Sequence, residues 1–564
     1  MDWAICAVLT VVELCLPTVG SQVEGSIYLS QVIGLFLSQY FVFKIYRVYL
    51  YPRFFSPLRH LPGPQNHNVI LGQELNKFRA DSPIGLQLDW SRRWPDAPFI
   101  RYLSIAGKEA LVVNSLAAHK AVLQTHAYDF VKPPLFARLV GEITGKGLLF
   151  AEGEEHKRQR KLLAGPFSVP SLRKILPVFQ KEAKALSKDF ETALGSKSCT
   201  SIEVISTLSK STLGIIGLAV LGVDLDTLSS VYPSSFQELY SKILHQDRLG
   251  QLISVINSFV PIRRFVPLEA NRRFIRANQD LRRMVNGILE KRKADLRDGT
   301  FKKEIGESRD LLTYMLEESE LQRQQTGQEP WTAEDIIGHL LNFISAGHET
   351  TANSVTWALY ILSTRHGIQD RLRDEVQKLL RSSVEPTYDE VNGLPYLHNF
   401  VREILRLYTP TILGPREATK DLVIEGVYIP KGTLVDLHMP LLHHRQGIWG
   451  PDASVFSPER WDNLTGSSAS PYAFEAFIHG PRMCPGKNFA VAQIKCMLIE
   501  LVSKWGFIAV EQSTNLAEKK ESREDSEREL LVNGEEALGR EIKIANPAVT
   551  YRPAGALHVR FEKL

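Results

Sequence analysis

Cysteine is scarce in this chain. Five occur in 564 residues, at Cys6, Cys15, Cys199, Cys484 and Cys496. An odd count with no C-x-x-C pair argues against a disulfide scaffold and against a structural zinc site. A reducing compartment is the simplest fit. Charge of one sign is also lacking: Lys+Arg 67 against Asp+Glu 63 leaves +4, too weak a bias for a nucleic-acid surface. No internal repeat is present. What remains is a long chain, 44% hydrophobic and 23% charged, with ample material for a large core in one oversized or two ordinary domains.

Two apolar segments open the chain. The first, 3–18, follows Asp2, carries Glu13 and Pro17, and lacks the basic start of a secretory signal. The second, 27–43, has seventeen uncharged residues before Lys44, Arg47, Arg53 and Arg59. Tyr46 and Tyr49 extend it with residues suited to a membrane interface. It reads as a span over about 27–46 within an anchor of residues 1–50, and its basic flank places the main domain on the cytosolic side. Insertion of 3–18 is left open. Pro52, Pro57 and Leu61-Pro62-Gly63-Pro64 make a hinge over 51–64 that is expected to stop the membrane helix. Residues 65–564 form the main domain.

Within it, 98–114 has the pattern of a hairpin turning at Ala106-Gly107-Lys108. Helical patterns dominate from Leu116 to about Arg381, with charged stretches at 171–191 and 269–297. Strand patterns return after Pro415, with turns at Glu425-Gly426 and Pro430-Lys431-Gly432. Residues 513–541 are dense in Glu, Lys and Arg and read as a flexible surface insertion between 507–510 and the strand-like 557–561. Asn463-Leu464-Thr465 is a glycosylation sequon, expected to stay unmodified in a cytosolic domain.

Four constellations carry chemistry. In Phe477-Ile478-His479-Gly480-Pro481-Arg482-Met483-Cys484-Pro485-Gly486, one cysteine sits between glycines ahead of an amphipathic helix, 487–505. Gly480 and Gly486 permit tight turns and close approach to a flat ligand. Loop amides and the helix N-terminus can lower the thiol pKa. Taken alone, burial is the better reading of a lone cysteine. The second is Ala346-Gly347-His348-Glu349-Thr350-Thr351, inside a helix that opens near Trp331 with a Thr332/Asp335 capping box and runs to about Arg365. A mid-helix glycine costs about 1 kcal/mol relative to alanine, and such rule-breaking is expected where a ligand approaches. The alternative is that Gly347 relieves a helix crossing and Thr350 bonds back to its own helix. Third, Glu403 and Arg406 share a helix face, an arrangement routine on surface helices, with Arg460 following in Pro458-Glu459-Arg460-Trp461. Fourth are the basic residues of His156-Lys157-Arg158-Gln159-Arg160, with Arg416 and Arg482.

Together these residues resemble the cytochrome P450 family. Phe477, Gly480, Arg482, Cys484 and Gly486 match every fixed position of its haem-ligand signature F-x-x-G-x-R-x-C-x-G. The remaining motifs occur in the family's order over roughly 61–564. The resemblance implies a mostly α fold with a smaller β region, haem lying between a long central helix and the cysteine loop, plus an N-terminal membrane helix. It implies Cys484 as axial thiolate of haem b. Ala346, Gly347, Phe477, Gly480 and Gly486 then border the haem, and Arg160, Arg416, Arg482 and His156 face its propionates. Many family members have tryptophan where this chain has His156, and histidine can still donate a hydrogen bond. Glu349 and Thr350 take the catalytic positions, relaying protons for dioxygen activation. Glu403, Arg406 and Arg460 form a structural network in which lysine could not replace arginine.

By the same resemblance the protein is a monooxygenase drawing electrons from NADPH through a membrane reductase, with cytochrome b5 as a second donor. Lys157, Arg158, Lys161 and Lys487 form a basic docking patch for the reductase. The setting is single-pass in the endoplasmic reticulum membrane, facing the cytosol. The segments 56–64 and 155–160 resemble filamentous-fungal members of secondary metabolism, pointing to a small apolar terpenoid or polyketide-type substrate, with 133–143, 336–346 and 409–413 lining its pocket. A sterol or fatty-acid oxidising member fits the same motifs. An isomerase or dehydratase of the family fits less well, since Thr350 is present, as does a non-catalytic haem carrier or sensor.

Overall fold

The computed structural model describes Thr10 and residues 29–225, 235–244, 246–300, 309–513, 542–546 and 550–564. The first apolar segment, apart from Thr10, and residues 514–541 of the charged insertion lie outside the described residues.

Sheet gathers in three places. Strands β1 (Phe99–Leu103) and β2 (Glu109–Val113) pair antiparallel across the expected turn, where Ala106 and Gly107 take φ of 55° and 67°. Glycine accepts that conformation freely and alanine at some cost. With β3 (Phe130–Val131), β5 (Gly414–Ala418) and β8 (Leu434–Leu437) they make one sheet ordered β1-β2-β8-β5-β3. The pair β2/β8 is parallel and the others antiparallel. Strands β6 (Leu422–Ile424) and β7 (Val427–Ile429) form a hairpin turning at Glu425-Gly426. The third sheet is β4 (Cys199–Glu203), β10 (Ala556–Lys563) and β9 (Trp505–Ser513), in that spatial order. Strand β4 interrupts the region expected to be helical. Its residues are half-buried or exposed without alternation, so no period-2 pattern marks it. Its partner comes from the far end of the chain.

The rest of the core is helical, and the helix Ala333–Thr364 runs through it for 32 residues, about 48 Å at ~1.5 Å per residue. The Thr332/Asp335 capping box starts it, each side chain bonding the other residue's backbone N–H. From Thr351 to Leu359 every residue is buried, so this half is enclosed on all sides. The helix Lys487–Lys504 after the cysteine loop is also enclosed: Ala492 through Ile499 are all buried. It is therefore a core helix and not the amphipathic one expected. The helices Val169–Leu194 and Glu269–Arg297 contain the charged stretches, with apolar residues in the core and the charges outward except Arg292, which is buried against Asp310.

At the N-terminal end the helix Leu29–Ile45 leaves Ile33, Leu37, Phe41 and Val42 between 48% and 66% exposed. One described helix, Val204–Leu221, is long and apolar enough to cross a membrane by length and composition, and 56% of it is buried within the fold. Proline does not stop the first helix as expected. Helical backbone continues in a wider π form from Tyr46 to Phe55 through Pro52, which accommodates the ring at the loss of one donor. Nor does 51–64 hang free. Arg101 N–H donates to Pro62 O at 2.9 Å and Arg101 Nη2 to Pro52 O at 2.5 Å. Leu58 is buried, and a Cβ on Gly63 would lie 1.7 Å from Arg101 O. This stretch is clamped to β1.

Candidate active site

The cysteine loop is closed by the Cys484 N–H donating to Phe477 O at 3.0 Å. Gly480 is required on two counts: its φ is +75°, and a Cβ would sit 2.0 Å from Leu123 O. Gly486 is different. Its φ is −82°, and the one atom a Cβ would meet is Cys484 Sγ at 3.9 Å. Protein packing does not demand glycine there, so the space beside the sulfur is left open. Burial pushes the Cys484 thiol up, while the Gly486 amide and the Arg160 and Lys487 charges pull it back down. The expected lowering influences are present, and burial outweighs them in the metal-free protein.

Beside this loop, cations converge. Arg482 reaches Ala151 O at 3.2 Å and the Glu152 carboxylate. Lys132 Nζ lies 3.4 Å from the same carboxylate; burial lowers its pKa to about 7, with Glu152 opposing and Arg416 and Arg482 adding to the fall. Arg416 is buried. Its guanidinium donates to Pro415 O at 3.0 Å and makes no ion pair among the described residues. Burial brings its pKa down to about 10, helped by Arg482. Arg160 is half-buried and likewise without an ion pair among the described residues. His156 is buried, with Nδ1 3.1 Å from Tyr128 OH. Burial, then Arg482, Lys132 and Arg160, lower its pKa to about 4. A neutral ring follows from that fall, and in the tautomer that accepts from Tyr128 at Nδ1 its Nε2 carries a proton to donate. One carboxylate, Glu152, answers Arg482, Lys132 and Arg416, while Arg160 stands near Cys484 and His156. Such an excess of buried positive charge is costly unless further anions sit among it. The two propionates of a haem are the right number and kind, and Arg416 has the free donors to take them.

The central helix carries the sextet, with mixed results for the individual residues. Gly347 faces the helix Val204–Ile216: a Cβ would meet Ile216 Cδ1 at 2.5 Å. Helix crossing therefore accounts for this glycine. Thr350 Oγ1 donates back to Ala346 O at 2.6 Å, and Thr212 Oγ1 from the crossing helix donates to His348 O at 3.1 Å. Two hydroxyls thus take carbonyls of this stretch, a known way to bend or loosen a helix. Glu349 is 24% exposed and accepts from Thr550 Oγ1 at 2.8 Å.

Glu403, Arg406 and Arg460 meet in a buried cluster. Arg406 holds Glu403 through two bonds of 2.8 and 2.7 Å, with both side chains fully buried. Arg406 Nη1 also donates to His443 O and Ala453 O, each at 2.6 Å. Arg460 Nε lies 3.5 Å from Glu403 Oε1. Trp461 Nε1 and Ser457 N complete the carboxylate at 3.0 and 3.1 Å. This fastens the 453–461 stretch to the helix Pro395–Leu407, beneath the segment leading to the cysteine loop.

Of the segments expected to line a pocket, 133–143 forms the helix Pro134–Thr144, whose C-terminal end is tied to the central helix by Asn342 Nδ2 donating to Thr144 O at 2.6 Å. Thr409 is turned away, its Oγ1 2.9 Å from Leu405 O and 2.6 Å from His443 Nδ1. The basic patch is weaker than its sequence suggests: Lys157 pairs with Glu154 at 2.5 Å and Arg158 with Glu155 at 2.7 Å. Lys161 and Lys487 remain exposed. Lys132, Glu152, Thr550 and Arg552 are site residues that no motif marks. For Lys132 a signal existed, a basic residue closing a short apolar strand before Pro133-Pro134.

The chain matches the Cytochrome P450 family over residues 98–527. It is 31% identical over 483 residues to cytochrome P450 monooxygenase sphH of Aspergillus fumigatus, covering 82% of this chain and 85% of that protein. It is 30% identical over 529 residues to cytochrome P450 monooxygenase FUM15 of Gibberella moniliformis, with 83% and 86% covered. With cytochrome P450 monooxygenase ptmK of Penicillium ochrochloron it shares 30% identity over 497 residues, covering 84% and 92%. The chain belongs to the cytochrome P450 family and is an oxidoreductase of its monooxygenase class.

Proposed function

We propose that the chain is a membrane-anchored monooxygenase that oxidises a small apolar organic molecule of fungal secondary metabolism, of terpenoid or polyketide type. The reaction consumes the substrate, dioxygen, NADPH and one proton, and releases oxidised product, water and NADP⁺. One oxygen atom enters the substrate and the other leaves as water. When bound, haem b with a Cys484 thiolate supplies the dioxygen-reducing centre. Arg416, Arg482, Lys132 and Arg160, with His156 donating, hold its two propionates. Glu349 and Thr350, adjacent on the central helix, move protons from water toward the reacting oxygen. The observation that carries this reading is the cluster of Arg482, Lys132 and Arg416 around the single Glu152 carboxylate, with Arg160 beside Cys484.

Membrane attachment rests on the exposed apolar side chains of Leu29–Ile45 followed by Arg47 and Arg53. The endoplasmic reticulum, with the main domain in the cytosol, suits that orientation. Electrons come from an NADPH-dependent reductase, with cytochrome b5 as a second donor. Exposed Lys161 and Lys487 supply the uncompensated positive charge for docking. The test is stoichiometric: membranes carrying the protein and a reductase, given candidate apolar substrates under ¹⁸O₂, should yield product with one ¹⁸O atom per NADPH oxidised. Product with unlabelled oxygen, or formed without NADPH, would refute the reading.

A further inference from the structure

Glu349 is held by a part of the chain that lies beyond the matched family region, which ends at residue 527. We propose that Thr550 and Arg552 are positioning residues that anchor one oxygen of the Glu349 carboxylate and leave the other to carry protons. This rests on the reading of Glu349 as the relay acid.

The anchoring is directional. Thr550 Oγ1 donates to Glu349 Oε1 at 2.8 Å. Asn353, one turn further along the central helix, donates from Nδ2 to Thr550 Oγ1 at 3.2 Å. With Asn353 occupying a lone pair, the hydroxyl proton is directed onto Glu349. Arg552 Nε stands 4.0 Å from the same Oε1, at ion-pair range. Glu349 Oε2 makes no hydrogen bond among the described residues, and the side chain keeps 24% exposure. A carboxylate fixed through Oε1 alone can exchange protons at Oε2 with water on one side and the Thr350 region on the other.

The residues doing the holding are themselves fixed. Tyr551 N–H donates to Pro410 O at 2.9 Å, and Trp357 Nε1 donates to Tyr551 O at 3.1 Å. The Trp357 and Tyr551 rings stack at 5.8 Å, and Thr550 bridges Thr411. Thr550 is buried. A threonine placed so firmly, with its hydroxyl aimed at an acid 201 residues away, orients that acid within a narrow range, which proton transfer requires.

The experiment uses the full-length holoenzyme with an NADPH-dependent reductase and no organic substrate. NADPH oxidation is followed with release of hydrogen peroxide, a reaction that consumes NADPH, a proton and dioxygen. Rates are normalised to thiolate-ligated haem. The carboxylate stretch of Glu349 is assigned by infrared difference between wild type and Glu349→Gln. Glu349→Gln should slow turnover, and Thr550→Val should slow it roughly tenfold, as expected for losing a hydrogen bond to a charged group. Thr550→Val should also shift the Glu349 band. Thr550→Ser should restore both rate and band, and Arg552→Lys should retain more of each than Arg552→Gln. If Glu349→Gln slows turnover while Thr550→Val and Arg552→Gln change neither rate nor band, the positioning role is overturned and the relay acid stands. If Glu349→Gln itself changes nothing, both fall.

Discussion

Replacing Glu403 by glutamine removes the negative charge from a fully buried site. Glu403 and Arg406 are both fully buried, and Arg460 stands 3.5 Å from the same carboxylate. The substitution leaves the Arg406 guanidinium facing an amide that accepts through one atom only. It also sets the glutamine NH₂ against an N–H of Arg406, Trp461 or Ser457, all of which now donate to the carboxylate. Removing one partner of a buried pair costs about 3–5 kcal/mol, a large part of the ~5–15 kcal/mol that a folded domain possesses. The ion pair Arg371–Glu459, also short at 2.6 Å, is the matched control, because its side chains are 56% and 45% exposed. Glu459→Gln should cost about 1 kcal/mol or less. Urea unfolding of the apoprotein, followed by tryptophan fluorescence, compares the two variants directly. If the Glu403→Gln midpoint falls no further than that of Glu459→Gln, the argument that this network holds the cysteine-loop face is wrong.

Gly480→Ala should lower apoprotein stability by about 2 kcal/mol or more, because φ is +75° and Leu123 O would lie 2.0 Å from the new Cβ; Gly486→Ala should leave apoprotein melting unchanged and weaken only haem retention. Arg416→Gln should do the opposite of Glu403→Gln: removing a buried cation without an ion pair leaves apoprotein unfolding unchanged or raises its midpoint, while haem transfer to apomyoglobin quickens. Acid should destabilise the protein through its buried histidines. Burial holds His438 at about 3 and His156, His339 and the half-buried His444 at about 4. The unfolded chain therefore binds more protons below an ordinary histidine pKa, and stability falls as pH drops through that window. His438, with neither ring nitrogen partnered among the described residues, accounts for a loss of about 3 kcal/mol between pH 6.5 and pH 4; His438→Leu should flatten the thermal midpoint against pH over that range.

Local features were the legible ones. The Thr332/Asp335 capping box and the Glu403/Arg406 pair each lie within one helical turn, and the structure forms both as spacing alone dictates. The bounds of Glu269–Arg297 follow from amphipathic periodicity. Contacts made between distant segments were not legible. Strand β4 exists because β10 pairs with it. Lys132 and Glu152 join the arginine cluster from separate loops. Glu349 is met by Thr550 across 201 residues. Enclosure is equally hard to read from sequence: the helix after the cysteine loop carries Lys495 and Gln493 into the core, where polar residues mimic an exposed face. Pro52 fails as a helix stop because the backbone widens into π form.

The central claim is that Cys484 is the axial ligand of a bound haem. The most direct measurement is the absorption spectrum of the reduced carbon-monoxide complex of the purified holoenzyme, compared with that of Cys484→Ala. A red-shifted, thiolate-type Soret band in the wild type that disappears in Cys484→Ala is the predicted result. An imidazole-type band in the wild type, retained unchanged in Cys484→Ala, would contradict the account.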